Sequence, residues 1–227
     1  MIPKKPLIVA NWKMNPSTLI EAQELFNSVE QKAQKIENAE IIICPPFVYL
    51  CQLKAENCKL GAQDCFWEEK GAFTGEISPL MLKGFNCQYV IVGHSERRKH
   101  QQENDGAINK KVKEALGAGL RVILCIEKIS QLEEDLKEVG GDFLNNLIIA
   151  FEPISAIGTG KPFEVEAARQ VFLGIREKFR EIPVLYGGSV NSGNARDYLE
   201  KAGFNGLLVG SASLNAEEFS KIAESCD

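Results

Sequence analysis

Residues 146–153 read NLIIAFEP, an unbroken apolar run that ends in a single carboxylate, Glu152. The apolar residues do not alternate with polar ones, which is typical of a strand buried on both faces of a parallel sheet. Comparable apolar runs occupy residues 6–12 (PLIVANW), 39–46 (AEIIICPP), 58–64 (CKLGAQD), 89–95 (YVIVGHS), 121–127 (RVILCIE), 183–189 (PVLYGGS) and 205–211 (NGLLVGS). The sequence therefore predicts eight buried strands.

Amphipathic helical segments separate most of these runs. Thr18 and Glu21 have the spacing of a capping box and precede apolar residues that fall on one helical face. Ser130 and Glu133 repeat that spacing, and Gly140 is placed to end the helix that they would begin. The pattern predicts a helix after the first strand and another after the fifth.

Two more helices follow in the last third of the chain. Residues 163–179 (FEVEAARQVFLGIREKF) carry an apolar stripe, and Asn215 with Glu218 begins the final helix. Because strand and helix alternate without a linker, we expect residues 1–227 to form a single (β/α)8 barrel domain. An open doubly wound sheet is the alternative, but its glycine-rich fingerprint is missing from residues 11–15 (NWKMN).

Composition excludes several classes of protein. The 227 residues are 44% hydrophobic, carry a formal net charge of −5 and form no basic patch, which argues against a nucleic-acid or membrane-surface partner. No apolar run approaches the roughly 18 residues of a membrane span, and residues 1–13 lack the pattern of a signal peptide. The seven cysteines include no CxxC pair. We therefore expect reduced thiols in a cytoplasmic protein, with neither a disulfide framework nor a zinc site.

Polar residues follow several predicted strands at the point where each strand ends. They are Asn11, Lys13, His94, Ser95, Glu96, Glu152, Gly187, Gly188, Ser189, Gly210 and Ser211. In a (β/α)8 barrel the carboxyl ends of all strands meet at one rim, where catalytic groups collect. We therefore expect these residues to surround one pocket.

The residue types indicate a chemistry for that pocket. Glu152 is a candidate base, and His94 precedes a helix start (SERR) whose partial positive charge favours a neutral imidazole that donates to a carbonyl. Lys13 supplies a positive charge for an anionic substrate or a developing oxyanion. The glycines and serines at 187–189 and 210–211 offer backbone N–H groups to a phosphate. Together they predict proton abstraction next to the carbonyl of a small phosphorylated substrate.

Each residue also has a plainer interpretation when it is considered singly. Glu152 is then a salt-bridged acid, Lys13 a surface lysine, His94 a structural histidine and the glycine pair 187–188 a tight turn. His100 lies in a polar run and is interpreted as a surface residue. The catalytic interpretation depends on the convergence of the whole set at one end of a barrel.

Seven segments of the chain resemble, in order, the signature segments of the triosephosphate isomerase family. They are NWKMN (11–15), GAQD (61–64), GAFTGEIS (71–78), VGHSERR (92–98), EPISAIGTGK (152–161), YGGSVN (186–191) and LLVGSASL (207–214). The resemblance implies the interconversion of dihydroxyacetone phosphate and D-glyceraldehyde 3-phosphate in glycolysis and gluconeogenesis, without cofactor or metal.

The resemblance also implies a role for each matched residue. Glu152 would move the proton between two carbons, and His94 would polarise the carbonyl. Asn11 and Lys13 would bind the substrate, and Glu96 matches an acid close to that lysine. The positions that would contact the phosphate are Gly158, Ser189, Gly210 and Ser211.

Residues 153–161 match the family's mobile lid, which would close over the phosphate through Gly158. The near hinge of that lid commonly ends in tryptophan, where this chain has Ser155, so we expect a lid that opens faster or shuts less tightly. Unchanged lid motion in Ser155→Trp would contradict that expectation. Ser211 replaces a usual glycine, and Glu127 lies in CIEK where the family usually has CIGE.

Residues 64–78 form a long segment after the third predicted strand. It could be no more than a surface loop. By resemblance it reaches into a second subunit and brings Thr74 near that subunit's active site, so we expect a homodimer.

Two other functions are alternatives to this one. Another phosphate-handling barrel, such as an aldolase or epimerase, would need a Schiff-base lysine inside a strand or a metal cluster, and neither is visible. A non-catalytic phosphate-binding protein could keep the barrel, but the set Asn11, Lys13, His94 and Glu152 argues against it.

Overall fold

Eight parallel strands form a closed barrel in the computed structural model, which describes residues 3–156 and 162–226. The strands are β1 (Leu7–Asn11), β2 (Glu40–Cys44), β3 (Lys59–Ala62), β4 (Cys87–Val92), β5 (Arg121–Ile126), β6 (Leu147–Phe151), β7 (Val184–Tyr186) and β8 (Gly206–Val209). They pair in chain order, and β8 closes on β1, where Leu7 lies opposite Gly206. This confirms the predicted barrel and excludes the open doubly wound sheet, whose edge strands would stay unpaired.

Helices connect most of the strands. They are α1 (Leu19–Ala33), α2 (Phe47–Leu50), α3 (Pro79–Gly84), α4 (Ser95–His100), α5 (Asp105–Gly117), α6 (Gln131–Asp135), α7 (Val165–Lys178) and α8 (Ala216–Glu224). A short π-helical turn, Asp197–Lys201, joins β7 to β8. No helix within residues 3–156 and 162–226 is long and apolar enough to cross a membrane.

The apolar residues of the strands divide between two packed layers. Along β1, Leu7 and Val9 belong to a cluster made only of strand residues, which fills the barrel interior. Ile8 and Ala10 belong instead to a cluster that includes helix residues such as Phe26. Successive side chains of a strand point to opposite faces, so each strand is buried on both. This explains why the strands are continuous apolar runs in the sequence.

The predicted capping of α1 is confirmed. The hydroxyl of Thr18 accepts a hydrogen bond from the Glu21 N–H at 3.3 Å, and the Glu21 carboxylate accepts one from the Thr18 N–H at 3.2 Å. At the start of α8, Asn215 Oδ1 accepts from the Glu218 N–H at 3.0 Å. The stripe predicted within residues 163–179 also packs against the core, with Ala168 and Ile175 buried.

The capping box predicted at Ser130 and Glu133 is wrong. Ser130 has helical dihedral angles (φ −61°, ψ −24°), whereas a capping side chain needs an extended backbone, and its hydroxyl caps nothing. The first N–H groups of the helix go to backbone carbonyls, with Leu132 donating to Ile129 at 3.1 Å. The side chain of Gln131 holds the turn before the helix, since its Oε1 accepts from the N–H groups of Glu127 at 2.7 Å and Lys128 at 3.0 Å. The helix ends at Asp135, five residues before Gly140.

Five cysteine thiols are buried, and burial raises the pKa of each. They are Cys44, Cys58, Cys65, Cys87 and Cys125. Buried, protonated thiols pack as small apolar groups, which agrees with the interpretation of these residues as core positions.

Candidate active site

A cavity of about 600 Å³ opens where the strands end at their carboxyl termini. Nine of the eleven residues that were expected to surround one pocket line it, whereas Ser95 and Glu96 do not. The nine are Asn11, Lys13, His94, Glu152, Gly187, Gly188, Ser189, Gly210 and Ser211. They come from the ends of β1, β4, β6, β7 and β8, which the closed barrel brings together. Gly158 and Lys161 lie outside the described residues.

Glu152 directly follows β6 and is only 1% exposed. Its Oε2 accepts a hydrogen bond from the Ser95 N–H at 2.8 Å, and its Oε1 lies 3.0 Å from Nε2 of His94. Burial raises the pKa of Glu152, but His94 and the Ser95 N–H together outweigh burial, so its pKa lies below the ordinary value. The carboxylate is therefore ionised and nearly dry at neutral pH, as a general base requires.

The backbone beside Glu152 explains the glycine after β7. A Cβ at Gly187 would lie 3.1 Å from Cγ of Glu152 and 3.3 Å from the Phe151 carbonyl oxygen. Any larger residue would therefore press on the side chain that carries the carboxylate. The pair Gly187–Gly188 is more than a tight turn, because it leaves room for the candidate base.

His94 is the N-cap residue of α4, and it is 6% exposed. Its Nδ1 accepts a hydrogen bond from the Glu96 N–H at 3.2 Å, an arrangement that leaves the ring proton on Nε2. Burial lowers the pKa of His94, but the carboxylate of Glu152 outweighs burial and raises it. A ligand that replaced Glu152 as the partner of Nε2 would remove the hydrogen bond to this carboxylate, which is one of the two ways in which Glu152 raises the pKa of His94.

Lys13 is held in an uncommon backbone conformation at the mouth of the cavity. Its φ of 54° lies in the left-handed region, which costs a non-glycine residue roughly 1–3 kcal/mol. Oδ1 of Asn11 accepts from the Lys13 N–H at 3.0 Å, and Nζ of Lys13 forms an ion pair with Glu96. Gly210 faces the lysine stem, since a Cβ there would lie 3.4 Å from Cε of Lys13.

The predicted phosphate side of the cavity is built from two turns. After β7, the Ser189 hydroxyl donates to the Ala156 carbonyl, and the Asn194 amide donates to the Ser189 carbonyl at 3.0 Å. After β8, Ser211 is exposed and opens a short 3₁₀ turn, Ser211–Leu214. Ser211 does not have a positive φ, so the turn accepts serine in place of glycine without backbone strain.

Several cavity residues were missed by sequence reasoning. Trp12, Asn191 and Glu218 line the cavity, and Gln63 contacts the carbonyl oxygen of Lys13 from the end of β3. Gln63 carried a signal, because it follows a predicted strand as the other site residues do. No signal in the sequence pointed to Glu218, because its spacing from Asn215 indicated only a role at the start of α8.

Two departures from the family pattern have different outcomes. Glu127 directly follows β5, and its N–H donates a hydrogen bond to the side chain of Gln131. Glu127 does not line the cavity. The side chain of Ser155 and all of residues 157–161 lie outside the part of the chain that the structure describes, so the expectation about the lid hinge stays a prediction.

Comparisons with known proteins agree with this architecture. The family model described as triosephosphate isomerase matches residues 6–226. Relatives named triosephosphate isomerase include one from Dehalococcoides mccartyi (strain CBDB1), 46% identical over 95% of this chain and 94% of the relative. Another, from Thermoanaerobacter sp. (strain X514), is 42% identical over 96% of this chain and 98% of its own.

A solved structure is similar as well. The crystal structure of triosephosphate isomerase from Bartonella henselae superposes with a TM-score of 0.85 at 32% identity, covering 97% of this chain and 98% of the other. The barrel, the cavity at its carboxyl rim and these similarities lead to one conclusion. This chain belongs to the triosephosphate isomerase family.

Proposed function

We propose that this chain interconverts dihydroxyacetone phosphate and D-glyceraldehyde 3-phosphate. The observation that carries the proposal is the 3.0 Å contact between the Glu152 carboxylate and Nε2 of His94 in a cavity that Lys13 also lines. A base, a hydrogen-bond donor and a cation around one small cavity suit proton transfer next to a carbonyl.

In the proposed reaction, Glu152 removes a proton from the hydroxymethyl carbon of dihydroxyacetone phosphate. The electron pair of the broken C–H bond forms the enediolate double bond, and the carbonyl oxygen takes the negative charge. Nε2–H of His94 donates a hydrogen bond to that oxygen and exchanges protons between the two oxygens of the enediol. Glu152 then returns the proton to the neighbouring carbon, so that no atom is gained or lost.

Lys13 would stabilise negative charge on the substrate and on the enediolate. Its Nζ is already committed to Glu96, which fixes the ammonium group at the rim of the cavity. A charge that is fixed in advance needs little reorganisation when the oxyanion develops. Asn11, whose amide oxygen binds the Lys13 backbone, would complete this side of the pocket.

The phosphate would bind between the two turns that follow β7 and β8. Ser189, Gly210 and Ser211 line this part of the cavity. Backbone N–H groups of such turns are suited to an anion because their dipoles point toward it. Gly158 and the lid of residues 153–161 would cover the phosphate, and this part of the proposal rests on the family resemblance.

An isomerase assay coupled to a dehydrogenase tests the proposal. The purified chain should convert either triose phosphate to the other, and Glu152→Gln should lower kcat by about 10²–10⁴-fold because it removes the base. Glu127→Gln is the matched control, since this glutamate follows β5 but does not line the cavity, and it should keep full activity. An inactive wild type, or a fully active Glu152→Gln, would rule the proposal out.

We also propose a cytoplasmic homodimer. The segments after β1, β2 and β3 leave neighbouring strands at the carboxyl rim, and they carry the exposed apolar residues Met14 (93% exposed), Val48 on α2 (73%) and Phe73 (42%). Such neighbouring apolar side chains are typical of a protein interface. Thr74 would then follow Phe73 into the partner's active site, and the buried thiols suit a reducing compartment.

A further inference from the structure

Both backbone polar groups of Lys13 are held by side chains. Oδ1 of Asn11 accepts from its N–H at 3.0 Å, and Nε2 of Gln63 donates to its carbonyl oxygen at 2.8 Å. The two contacts fix the peptide groups on either side of the Lys13 Cα. They therefore specify the left-handed conformation (φ 54°) in which this residue is found.

Gln63 joins three strand ends through one amide group. It follows β3, and its Nε2 also donates to the carbonyl oxygen of Cys44, the last residue of β2, at 2.9 Å. The Cys44 carbonyl in turn accepts from the Trp12 N–H at 3.2 Å, next to Lys13. Since the barrel fixes the ends of β2 and β3, Gln63 ties the segment after β1 to a rigid frame.

Gln63 is half-buried and does not line the cavity. Any effect on a bound substrate must therefore pass through another residue. We take Lys13 to be this intermediate residue. Its carbonyl oxygen accepts the hydrogen bond from Gln63, and its ammonium group lies at the cavity rim beside Glu96.

We propose that Gln63 is a positioning residue that fixes the backbone of Lys13, and thereby the site of its charge, for the enediolate and the phosphate. This inference rests on the proposed function and adds a residue to it. Because the chain would have to leave a strained conformation to relax, loss of the Gln63 donor should let Lys13 move away from its productive place. Displacements of about 1 Å in a supporting residue lower catalytic efficiency by as much as roughly 10²-fold.

The test is a double-mutant cycle between Gln63→Met and Lys13→Met. Methionine keeps the length of glutamine but cannot donate, so it removes the hydrogen bond to the Lys13 carbonyl and leaves the Cys44 carbonyl with the Trp12 N–H. In the wild-type background, Gln63→Met should lower kcat/KM and the affinity for 2-phosphoglycolate by about 10–100-fold. In the Lys13→Met background it should change either quantity by less than about twofold, because the group on which it acts is gone.

Asn109→Leu is the matched control. The Asn109 amide also donates to two carbonyl oxygens, those of Asp135 at 3.1 Å and Lys137 at 2.9 Å, but it lies on α5 outside the cavity. It should leave both quantities unchanged. Sedimentation and circular dichroism on each variant separate a change of assembly or folding from a change in the site, and Gln63→Glu replaces Gln63→Met should the latter not fold.

An unchanged Gln63→Met, or one that loses as much in the Lys13→Met background as in the wild type, would overturn the inference. An inactive wild type would instead overturn the proposed function. In that case the affinity for 2-phosphoglycolate still measures the coupling between Gln63 and Lys13, so the two failures can be told apart.

Discussion

Glu152 and His94 stabilise one another because each compensates for the burial of the other. A carboxylate that is 1% exposed would ordinarily take up a proton, yet the pKa of Glu152 lies below its usual range. The imidazole and the Ser95 N–H supply the compensation. The same contact that prepares the base therefore also contributes to folding.

This contact predicts a dependence of stability on pH. The pKa of Glu152 is lowered in the folded state, so its contribution is present above the unfolded value of 4.5 and is lost as pH falls through the folded value. The excess free energy of unfolding of wild type over Glu152→Gln should grow as the pH falls from about 6.5 to about 5, because the buried His94 of the variant has lost the carboxylate that favours its charged form. Below 4.5 the excess should stop growing and then shrink, as wild type loses the contribution of the ionised Glu152. Urea unfolding across this range measures it. An excess that keeps growing below pH 4.5 would reverse the direction assigned to Glu152.

The start of α1 should depend on its cap, whereas the start of α6 should not. Thr18→Ala removes the acceptor for the Glu21 N–H and should lower the free energy of unfolding by about 1 kcal/mol. Ser130→Ala is the matched change at a residue that caps nothing, and it should have no measurable effect. Denaturant unfolding compares the two variants, and equal losses would contradict the assigned caps.

The turn after β7 should be sensitive to one added methyl group. Gly187→Ala places a Cβ 3.1 Å from Cγ of Glu152, so it should displace the base and lower kcat/KM by about 10–100-fold while the barrel still folds. Gly117→Ala is its control, because open space surrounds a Cβ at the end of α5. Steady-state kinetics and circular dichroism on both variants test this. Full activity in Gly187→Ala would show that the base tolerates the added methyl group.

These elements show how far the sequence leads. The strands were predictable because burial on both faces leaves a continuous apolar run in the sequence. The cap of α1 was predictable because its two partners, Thr18 and Glu21, are three residues apart. The start of α6 was not predictable, because Ser130 has the residue type and spacing of a cap but a helical backbone, and only the folded structure reveals that backbone. Contacts such as that between Gln63 and Lys13 join residues 50 positions apart, and only the closed barrel reveals them.

The assembled molecule explains why the site residues could be named in advance while their contacts could not. Parallel strands end at one rim, so the topology alone brings Lys13, His94 and Glu152 to one cavity. Distances, ionisation and the support from Gln63 depend on the register and packing of the complete barrel. The predicted lid stays a prediction, because residues 157–161 lie outside the part of the chain that the structure describes.

The proposed dimer gives a prediction for the whole molecule. Phe73→Asp puts a charge among the apolar side chains at the carboxyl rim, so it should convert a micromolar dimer to monomer and lower kcat. Phe143→Asp is the control, since Phe143 is similarly exposed (48%, against 42% for Phe73) but lies before β6 at the opposite rim. Sedimentation velocity with parallel assays checks both variants. A monomeric wild type with full activity would contradict the dimer.

A crystal structure with 2-phosphoglycolate bound would decide whether the barrel works as proposed. We expect Nε2 of His94 and the carboxylate of Glu152 to lie about 3 Å from the same end of the ligand, with the phosphate against the turns at Ser189 and Ser211. Glu152 and His94 would then act on neighbouring atoms of one triose phosphate. A ligand bound elsewhere, or one that His94 reaches while Glu152 does not, would contradict the assignment of Glu152 as the base.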